Sequence, residues 1–286
     1  MSSEFAESKI LSPEPSVQNK KRKVVLISGG SGGIGRATAN QFADLGFITY
    51  EVSRSGTDRP GIKHITGDVT VKEDMERAVA MVMAEAGRLD IAISNAGYGI
   101  AGPIETTSES DVKMQFDVNF FGAVHFIQAA LPALRTSGGG RILVTSSVAA
   151  VTPIPFQSFY TCTKASLNQL VLCLNNELKP FNIQCVALMP GDTCTTFTDH
   201  RCLTVAEEDP IYGNRAINSI RKMENDERCG SDVEPLARRI VKLTTQKRTP
   251  KPVQGFGPGY RTLLFLAKIL PVRLMNGILY KLYAES

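Results

Sequence analysis

Short apolar runs alternate with longer amphipathic stretches along most of the chain. Six runs have the length of buried strands, at residues 24–27, 47–52, 62–65, 89–94, 141–145 and 183–188. Between several of them, as in residues 75–86, apolar residues recur at the three- or four-residue spacing typical of helices. Strands separated by helices pair in parallel, since a tight hairpin cannot join them. The pattern therefore predicts an α/β fold with one doubly wound parallel sheet in a single domain.

Three stretches depart from this alternation. Residues 108–134 predict one long helix that is apolar on several faces, which internal packing or a second subunit must cover. Residues 192–232 are polar and irregular, and we expect a substrate loop or lid there. Residues 251–286 form an apolar extension whose charges and proline disfavour a membrane span. We expect this extension to pack on the domain or cleft, a partner subunit or a membrane surface.

Composition narrows the classes of protein that fit the chain. Of its 286 residues 43% are hydrophobic, enough for a large core. The net charge is +4, from 32 basic and 28 acidic residues, so charge does not indicate a nucleic-acid partner. The six cysteines show no C-x-x-C pair and no zinc-like spacing with histidine, and no signal peptide precedes them. We therefore expect no metal site, a cytoplasmic protein, and a mobile polar tail over residues 1–22.

A glycine-rich stretch joins the first predicted strand to the first predicted helix. One register of glycines, Gly30, Gly32 and Gly35, fits the general dinucleotide fingerprint, and a wider register uses Gly29, Gly33 and Gly35. Glycine lets backbone amides approach a pyrophosphate, and the helix N-terminus favours the anion. The stretch therefore predicts a dinucleotide cradle of the Rossmann type.

A second group of residues carries acid–base chemistry. Tyr160 and Lys164 are four residues apart at the start of a predicted helix, so that they share a face. We expect the ammonium to lower the pKa of the phenol, which could then exchange a proton with an alcohol or carbonyl. Ser147, rather than its neighbour Ser146, follows the fifth strand at the spacing suited to bind the substrate oxygen. Asn119 in the long helix could kink it and hold a water near Lys164.

These motifs together resemble the classical short-chain dehydrogenase/reductase family over roughly residues 22–200. The motifs that carry the resemblance are Ser28-Gly29-x-x-x-Gly33-Ile34-Gly35, Asp68, Asn95-Ala96-Gly97, Asn119, Ser147, Tyr160-x-x-x-Lys164 and Pro190-Gly191 with Thr195. Ser28 and Ser94 replace a Thr and an Asn that are usual in the family. The resemblance implies hydride transfer between a nicotinamide and a secondary alcohol or ketone or aldehyde, in a dinucleotide-binding catalytic domain over residues 23–250.

The resemblance also implies a role for each matching position. Asn119, Ser147, Tyr160 and Lys164 would form a catalytic tetrad, with Tyr160 and Lys164 also touching the cofactor. The pyrophosphate would lie on Gly29, Ser31, Gly33, Ile34 and Gly35. The adenine would meet Asp68 and Val69, and its ribose Asn95, Ala96 and Gly97. The nicotinamide carboxamide would be held by Pro190, Gly191, Thr193 and Thr195. Such enzymes are commonly homodimers or homotetramers.

The end of the second strand predicts the cofactor. An acidic residue there would bind a ribose 2′-hydroxyl, whereas arginine would pair with a 2′-phosphate. Eighteen residues after Gly35 the chain has Ser53, followed by Arg54, which favours NADP(H). Glu51, two residues earlier, is the alternative acidic residue and would favour NAD(H).

The apolar extension and the predicted lid favour a large hydrophobic substrate, and their arrangement resembles hydroxysteroid and retinol dehydrogenases. Small carbonyl compounds and fatty-acyl ketones are alternatives. A second hypothesis is a regulator that senses NADP(H) without turnover. The presence of Ser147, Tyr160 and Lys164 together argues for the enzyme, because a sensor needs no acid–base group.

Overall fold

A parallel sheet forms the centre of the molecule. The structure, a computed structural model, describes residues 22–257 and 259–285, so the predicted polar tail lies almost entirely outside it. The strands within these residues are β1 Val24–Ser28, β2 Ile48–Ser53, β3 Ile62–Thr66, β4 Ile91–Ser94, β5 Ile100–Ala101, β6 Gly140–Thr145, β7 Ile183–Pro190, β8 Cys202–Leu203 and β9 Val253–Phe256. Seven of them form one parallel sheet in the order β3-β2-β1-β4-β6-β7-β9, and β5 pairs with β8.

Helices cover both faces of this sheet. Those of the described residues are α1 Gly33–Asp44, α2 Lys72–Ala86, α3 Glu109–Phe116, α4 Gly122–Thr136, α5 Ser158–Glu177, α6 Gly213–Arg228, α7 Val233–Thr245, α8 Tyr260–Ile269 and α9 Val272–Tyr283. Val24 and Leu26 of β1 pack with α2, α4 and α5, while Val25 and Ile27 pack with α1 and α7. A strand buried on both faces must be apolar throughout, which explains the unbroken run in β1. The predicted fold class is confirmed.

The sheet order creates the crevice where a ligand would bind. The strands β1, β2 and β3 follow one another towards one edge of the sheet. The chain then crosses back to place β4 on the other side of β1, so the point of reversal lies between β1 and β4. In open α/β sheets ligands bind beyond the carboxyl ends of the strands at such a reversal. The glycine-rich stretch leaves β1 at this end of the sheet.

The structure differs from the sequence-based expectations in three elements. The long helix is interrupted by a π-helical turn, Asp117–Phe121, between α3 and α4. The stretch 192–232, expected to be irregular, contains the 16-residue helix α6, whose many charged residues hide its buried apolar face in the sequence. The sheet has a further strand, β9, beyond residue 250, so the last strand of the sheet lies in the segment expected to be an extension. None of the described helices is both long and apolar enough to cross a membrane.

Candidate active site

The glycine-rich turn after β1 is closed too tightly for side chains. Gly29 and Gly33 have φ of 68° and 47°, the left-handed region that favours glycine. A Cβ at Gly35 would overlap the Gly29 carbonyl oxygen and lie 2.6 Å from Asn95 Nδ2. Gly32 has φ of −144°, and the nearest atom to its Cβ position is 3.9 Å away. The geometry therefore favours the wider register, and the turn forms a cradle at the N-terminus of α1 that a dinucleotide fits.

The turn is fastened to the end of β4. The Ser28 hydroxyl accepts hydrogen bonds from the backbone N–H groups of Asn95 and Ala96, at 3.0 and 3.3 Å. Asn95 Nδ2 donates to the Gly29 carbonyl at 3.2 Å. Serine supplies the same hydroxyl as the family's usual threonine, so this departure keeps the contact.

The end of β2 lies beside the turn and is rich in cations. Ser53 ends the strand and Arg54, which follows it, is exposed. Glu51 is only 1% exposed, and its Oε1 lies 2.5 Å from Nδ1 of His64. Only this oxygen is paired, because Oε2 of the same carboxylate is buried and has no hydrogen-bond partner among the described residues. Arg59 Nη2 donates to the Gly30 carbonyl at 2.8 Å.

A small pocket opens between this strand end and the turn. Its volume is about 400 Å³, and Ser31, Arg36 and Arg59 are among the residues that line it. Neither arginine belongs to the motifs found in the sequence. Arg36 directly follows the last glycine and could have been noticed, but Arg59 lies in an irregular loop and only the fold brings it there.

The residues predicted to surround the adenosine follow neighbouring strands. Asp68 and Val69 come after β3, and Asn95, Ala96 and Gly97 come after β4. Asp68 Oδ1 accepts from the Thr70 N–H and hydroxyl, at 2.9 and 2.8 Å. These residues therefore lie at the same carboxyl edge as the glycine turn.

Asn119 and Lys164 meet beside Gly97. Asn119 is buried in the π-helical turn, where its Oδ1 accepts from the N–H of Tyr98 at 3.0 Å and its Nδ2 donates to the carbonyl of Tyr98 at 2.9 Å. Lys164 Nζ donates to the Thr145 carbonyl at 2.9 Å. The Cβ position of Gly97 lies 3.1 Å from Asn119 Oδ1 and 3.7 Å from Lys164 Nζ. Both side chains therefore lie within 4 Å of the Cβ position of Gly97.

The structure separates Ser147 from its rival Ser146. The Ser146 hydroxyl is buried and donates to the Lys164 carbonyl at 3.1 Å, so it is used in packing α5 against β6. Ser147 is half-buried just beyond β6, where its hydroxyl accepts from the Ala149 N–H at 3.1 Å and adjoins Tyr160. Ser147 therefore faces the crevice beside the phenol.

Burial controls the acid–base groups. It raises the pKa of Tyr160 to about 12, and the Ser147 hydroxyl opposes that rise. Burial also lowers the pKa of Lys164 to about 8. The expectation that Lys164 lowers the pKa of the phenol is therefore wrong in this structure. The reason is burial, which is the largest influence on the phenol and outweighs an ammonium that donates to the Thr145 carbonyl and lies 5.6 Å from the centre of the Tyr160 ring.

The loop after β7 closes the other side of the crevice. Thr193 Oγ1 donates to the Gly191 carbonyl at 2.9 Å, and Thr195 lies 3.5 Å from the Cβ position of Gly33, so the loop reaches the glycine turn. The Tyr260 hydroxyl of α8 donates to the Asp192 carboxylate, while its ring covers Gly191. Burial raises the pKa of Asp192, which the hydrogen bond from Tyr260 opposes. No local pattern in the sequence points to this contact, because 68 residues separate the partners.

The predicted lid covers the phenol with an aromatic ring. Phe197 packs against Tyr160, and the Arg201 guanidinium carbon lies 5.9 Å from the centre of the Phe197 ring. The Arg201 side chain is 1% exposed and pairs with Glu227 of α6 at 2.5 Å. Nothing in the sequence singled out Phe197 or Arg201 beyond their position in the expected lid.

A glycine cradle, a Tyr–Lys pair and a serine at one edge of a doubly wound sheet define a dinucleotide-binding oxidoreductase. The sequence model of the short chain dehydrogenase family matches residues 23–204, more than half of the chain. The chain belongs to the short-chain dehydrogenase/reductase family, whose fold binds NAD(P)(H), and it is an enzyme acting on CH–OH or keto groups. No group of three His, Cys, Asp or Glu side chains suited to a metal occurs in the described part of the chain.

Similarity to individual proteins extends over most of the chain. It is 35% identical over 265 residues to a 3-ketodihydrosphingosine reductase of Bacteroides thetaiotaomicron, covering 92% of this chain and 98% of that one. It is 28% identical over 243 residues to the NADPH-dependent 1-acyldihydroxyacetone phosphate reductase of Saccharomyces cerevisiae, covering 79% and 80%. The crystal structure of a short-chain dehydrogenase from Streptomyces avermitilis superposes with a TM-score of 0.77 at 27% identity, covering 92% and 96%.

Proposed function

We propose that this enzyme is an NADP(H)-dependent reductase that interconverts a secondary alcohol and a ketone or aldehyde, with Tyr160 as general acid and base. The observation that carries the proposal is the convergence of Ser147, Tyr160 and Lys164 at the carboxyl edge of the sheet, beside the glycine cradle. A bound nicotinamide supplies or accepts the hydride. The protein positions the reactants and moves the proton.

Each catalytic residue has a distinct task in this proposal. The Ser147 hydroxyl holds the substrate oxygen next to the phenol. With a pKa of about 12, Tyr160 is protonated at neutral pH and donates its proton to a carbonyl oxygen during reduction. Lys164 binds the nicotinamide ribose, and Asn119 holds the Tyr98 backbone and so shapes the floor beside Lys164.

The cofactor contacts follow from the arrangement of the loops. The pyrophosphate would lie on Gly29, Ser31, Gly33, Ile34 and Gly35, the adenosine against Asp68, Val69, Asn95, Ala96 and Gly97, and the carboxamide on Pro190, Gly191, Thr193 and Thr195. The exposed Arg54 next to Ser53, with Arg36 and Arg59 nearby, favours a 2′-phosphate. Glu51 lines the same pocket, and its Oε2 has no hydrogen-bond partner among the described residues, so this carboxylate carries the NAD(H) alternative. A relative named as NADPH-dependent supports the preference for NADP(H).

For the substrate we propose a long-chain, lipid-like ketone. The aromatic ring of Phe197 over Tyr160 provides an apolar wall at the reacting end. Two relatives are named as reductases of 3-ketodihydrosphingosine and of 1-acyldihydroxyacetone phosphate, which supports this choice. A further relative is named as a 17-beta-hydroxysteroid dehydrogenase, so a steroid is the alternative substrate. We also infer a homodimer or homotetramer. Large apolar side chains that a second subunit would cover are exposed at Met114 of α3, Phe121 of the π-helical turn and Leu172 of α5.

The test is to mix the full-length protein with NADPH and a panel of long-chain 3-keto amines, steroid ketones, retinal and small ketones, and to follow the loss of NADPH. We expect turnover on a long-chain member and its loss in Tyr160→Phe, with NADPH binding preserved. Tyr50→Phe is the matched control and should keep its activity, because it removes only a hydroxyl that donates to Glu85 of α2. Turnover that survives Tyr160→Phe would contradict the assignment of the acid. Tight NADPH binding without turnover on any substrate would favour a sensor.

A further inference from the structure

The excess of positive charge lies towards the C-terminal end of the chain. Between residues 235 and 284 there is no acidic residue, although the whole chain has a net charge of only +4. The basic residues in this stretch are Arg238, Arg239, Lys242, Lys247, Arg248, Lys251, Arg261, Lys268, Arg273 and Lys281. The segment is therefore strongly cationic on a protein whose remaining residues are acidic in balance.

The same segment exposes an apolar face. Among the described residues seventeen large apolar side chains are exposed, and seven of them fall within residues 265–282. They are Phe265, Ile269, Val272, Leu274, Ile278, Tyr280 and Leu282. Helix α9 therefore has two rows of apolar residues. Met275 and Leu279 are buried against the protein, and Leu274, Ile278 and Leu282 form a parallel stripe on the exposed side of the helix. Single exposed apolar residues are common, but a stripe of this length marks an interaction surface.

Cations and a groove border this stripe. Lys268, Arg273 and Lys281 are exposed and form no salt bridge within the described residues. Beside α8, a groove of about 1070 Å³ runs between β9 and α7. Its lining is apolar at Met189, Val253, Phe256, Leu264 and Phe265, and cationic at Arg239, Lys251 and Lys268. Phe265 is one of the seven exposed apolar residues and also lines the groove, so the exposed apolar face continues into the groove.

We propose that the α8–α9 face attaches the protein peripherally to an anionic lipid surface. Helices of 10 and 12 residues are too short to span a bilayer, and one lying in the interface buries an apolar stripe while its basic residues meet the headgroups. A second copy of the chain fits this face less well. A two-fold interface would bring two cationic segments of the same kind together, whereas anionic headgroups neutralise them.

Hydrogen bonds connect the α8–α9 face to the candidate active site and to α6. Tyr260, the first residue of α8, bonds Asp192 in the loop after β7. Tyr283, the last residue of α9, donates from its hydroxyl to Asp226 of α6 at 3.3 Å. Attachment of α8 and α9 would therefore hold this loop near the lipid surface, where a lipid-like substrate dissolves. This consequence for the substrate rests on the proposed function, but attachment itself does not.

The test uses full-length protein and vesicles of phosphatidylcholine, with or without phosphatidylserine, separated by flotation. We expect binding to the vesicles that contain phosphatidylserine, weakening as salt rises. Phe265→Glu with Ile278→Glu should reduce it by about tenfold or more, and so should replacement of Lys268, Arg273 and Lys281 by Gln. Leu45→Glu is the matched control, because Leu45 is 59% exposed at the end of α1 and Phe265 is 60% exposed. A cooperative urea-unfolding transition like that of the unmodified protein shows that each variant is folded.

Three outcomes would overturn the proposal. The first is an absence of binding to anionic vesicles at low salt, and the second is binding that both sets of variants leave unchanged. The third is dissociation of an oligomer by Phe265→Glu, seen by sedimentation velocity, without any vesicle binding. That result would assign the face to a second copy of the chain. Vesicle binding does not require turnover, so failure of the proposed reductase activity leaves this test intact.

Discussion

The ring of Phe197 lies 5.8 Å from the ring of Tyr160, centre to centre, at an interplanar angle of 54°. Phe197 comes from the lid, and Arg201 beside it is held by Glu227 of α6. The lid therefore supplies part of the burial that raises the pKa of the phenol. A contact outside the motifs thus tunes the residue that we assign as the acid.

Phe197→Ala should lower the pKa of Tyr160 from about 12, since it removes part of the apolar cover. Alkaline difference titration of phenolate absorbance, with Tyr160→Phe subtracted, measures this pKa. Phe197→Leu keeps an apolar cover and should shift the pKa less. A pKa equal to that of the unmodified protein in Phe197→Ala would show that other residues bury the phenol.

Lys164→Met should stabilise the fold at pH 7 while abolishing turnover. The pKa of Lys164 falls from 10.5 to about 8 on folding, so below pH 8 the folded state carries a buried ammonium at a cost that the unfolded state does not bear. The gain should be on the order of 1–3 kcal/mol in the free energy of unfolding.

The pH dependence provides the control for this prediction. The unfolded lysine loses its proton near pH 10.5, so the advantage of Lys164→Met should shrink between about pH 8 and pH 10.5 and vanish above it. Urea unfolding across this range measures the difference. A difference that does not change with pH would point to packing rather than charge as its source.

Arg54→Ala should weaken NADPH binding by about 1.5–3 kcal/mol, the scale of a hydrogen bond to a charged group, and leave NADH binding nearly unchanged. Arg59→Ala is the matched comparison. Arg59 supports the Gly30 carbonyl, so its loss should weaken both cofactors. Titration of each variant with both cofactors distinguishes the two roles. Equal losses in Arg54→Ala would show that Arg54 does not contact the phosphate.

Gly35→Ala and Gly32→Ala test which glycines the turn requires, because Gly35 belongs to both registers and Gly32 only to the one through Gly30 and Gly32. Gly35→Ala places a methyl group against the Gly29 carbonyl and Asn95. It should lower the free energy of unfolding by about 2 kcal/mol or more and should also weaken NADPH binding. Gly32→Ala meets open space and should cost no more than about 1 kcal/mol, as for an alanine at a helix N-cap. Urea unfolding and NADPH titration measure both effects. A loss in Gly32→Ala as large as that in Gly35→Ala would show that the turn needs Gly32, as the register through Gly30 and Gly32 requires.

The sequence was sufficient for elements whose signal is local. β1 is apolar at every position because both of its faces are buried, and Gly29 and Gly33 stand where the backbone needs positive φ. Strand and helix periodicity therefore predicted the parallel sheet, and the spacing of Tyr160 and Lys164 within one helix placed them together on α5. Helix α6 was missed because its charged residues obscure the buried positions. Strand β9 was missed because four residues around a glycine carry little periodic signal.

Only the tertiary structure decided the contacts that join distant segments. Four such contacts depend on how loops meet at the edge of the sheet. They are the pairing of Glu51 with His64, the hydrogen bond from Arg59 to the turn, the packing of Phe197 on Tyr160 and the hydrogen bond from Tyr260 to Asp192. The direction of the Tyr160 pKa shift was mispredicted for the same reason. The spacing of residues in a sequence predicts which charged side chains are neighbours on a helix. The pKa of the Tyr160 phenol depends mainly on its burial, and burial is set by the packing of the whole chain.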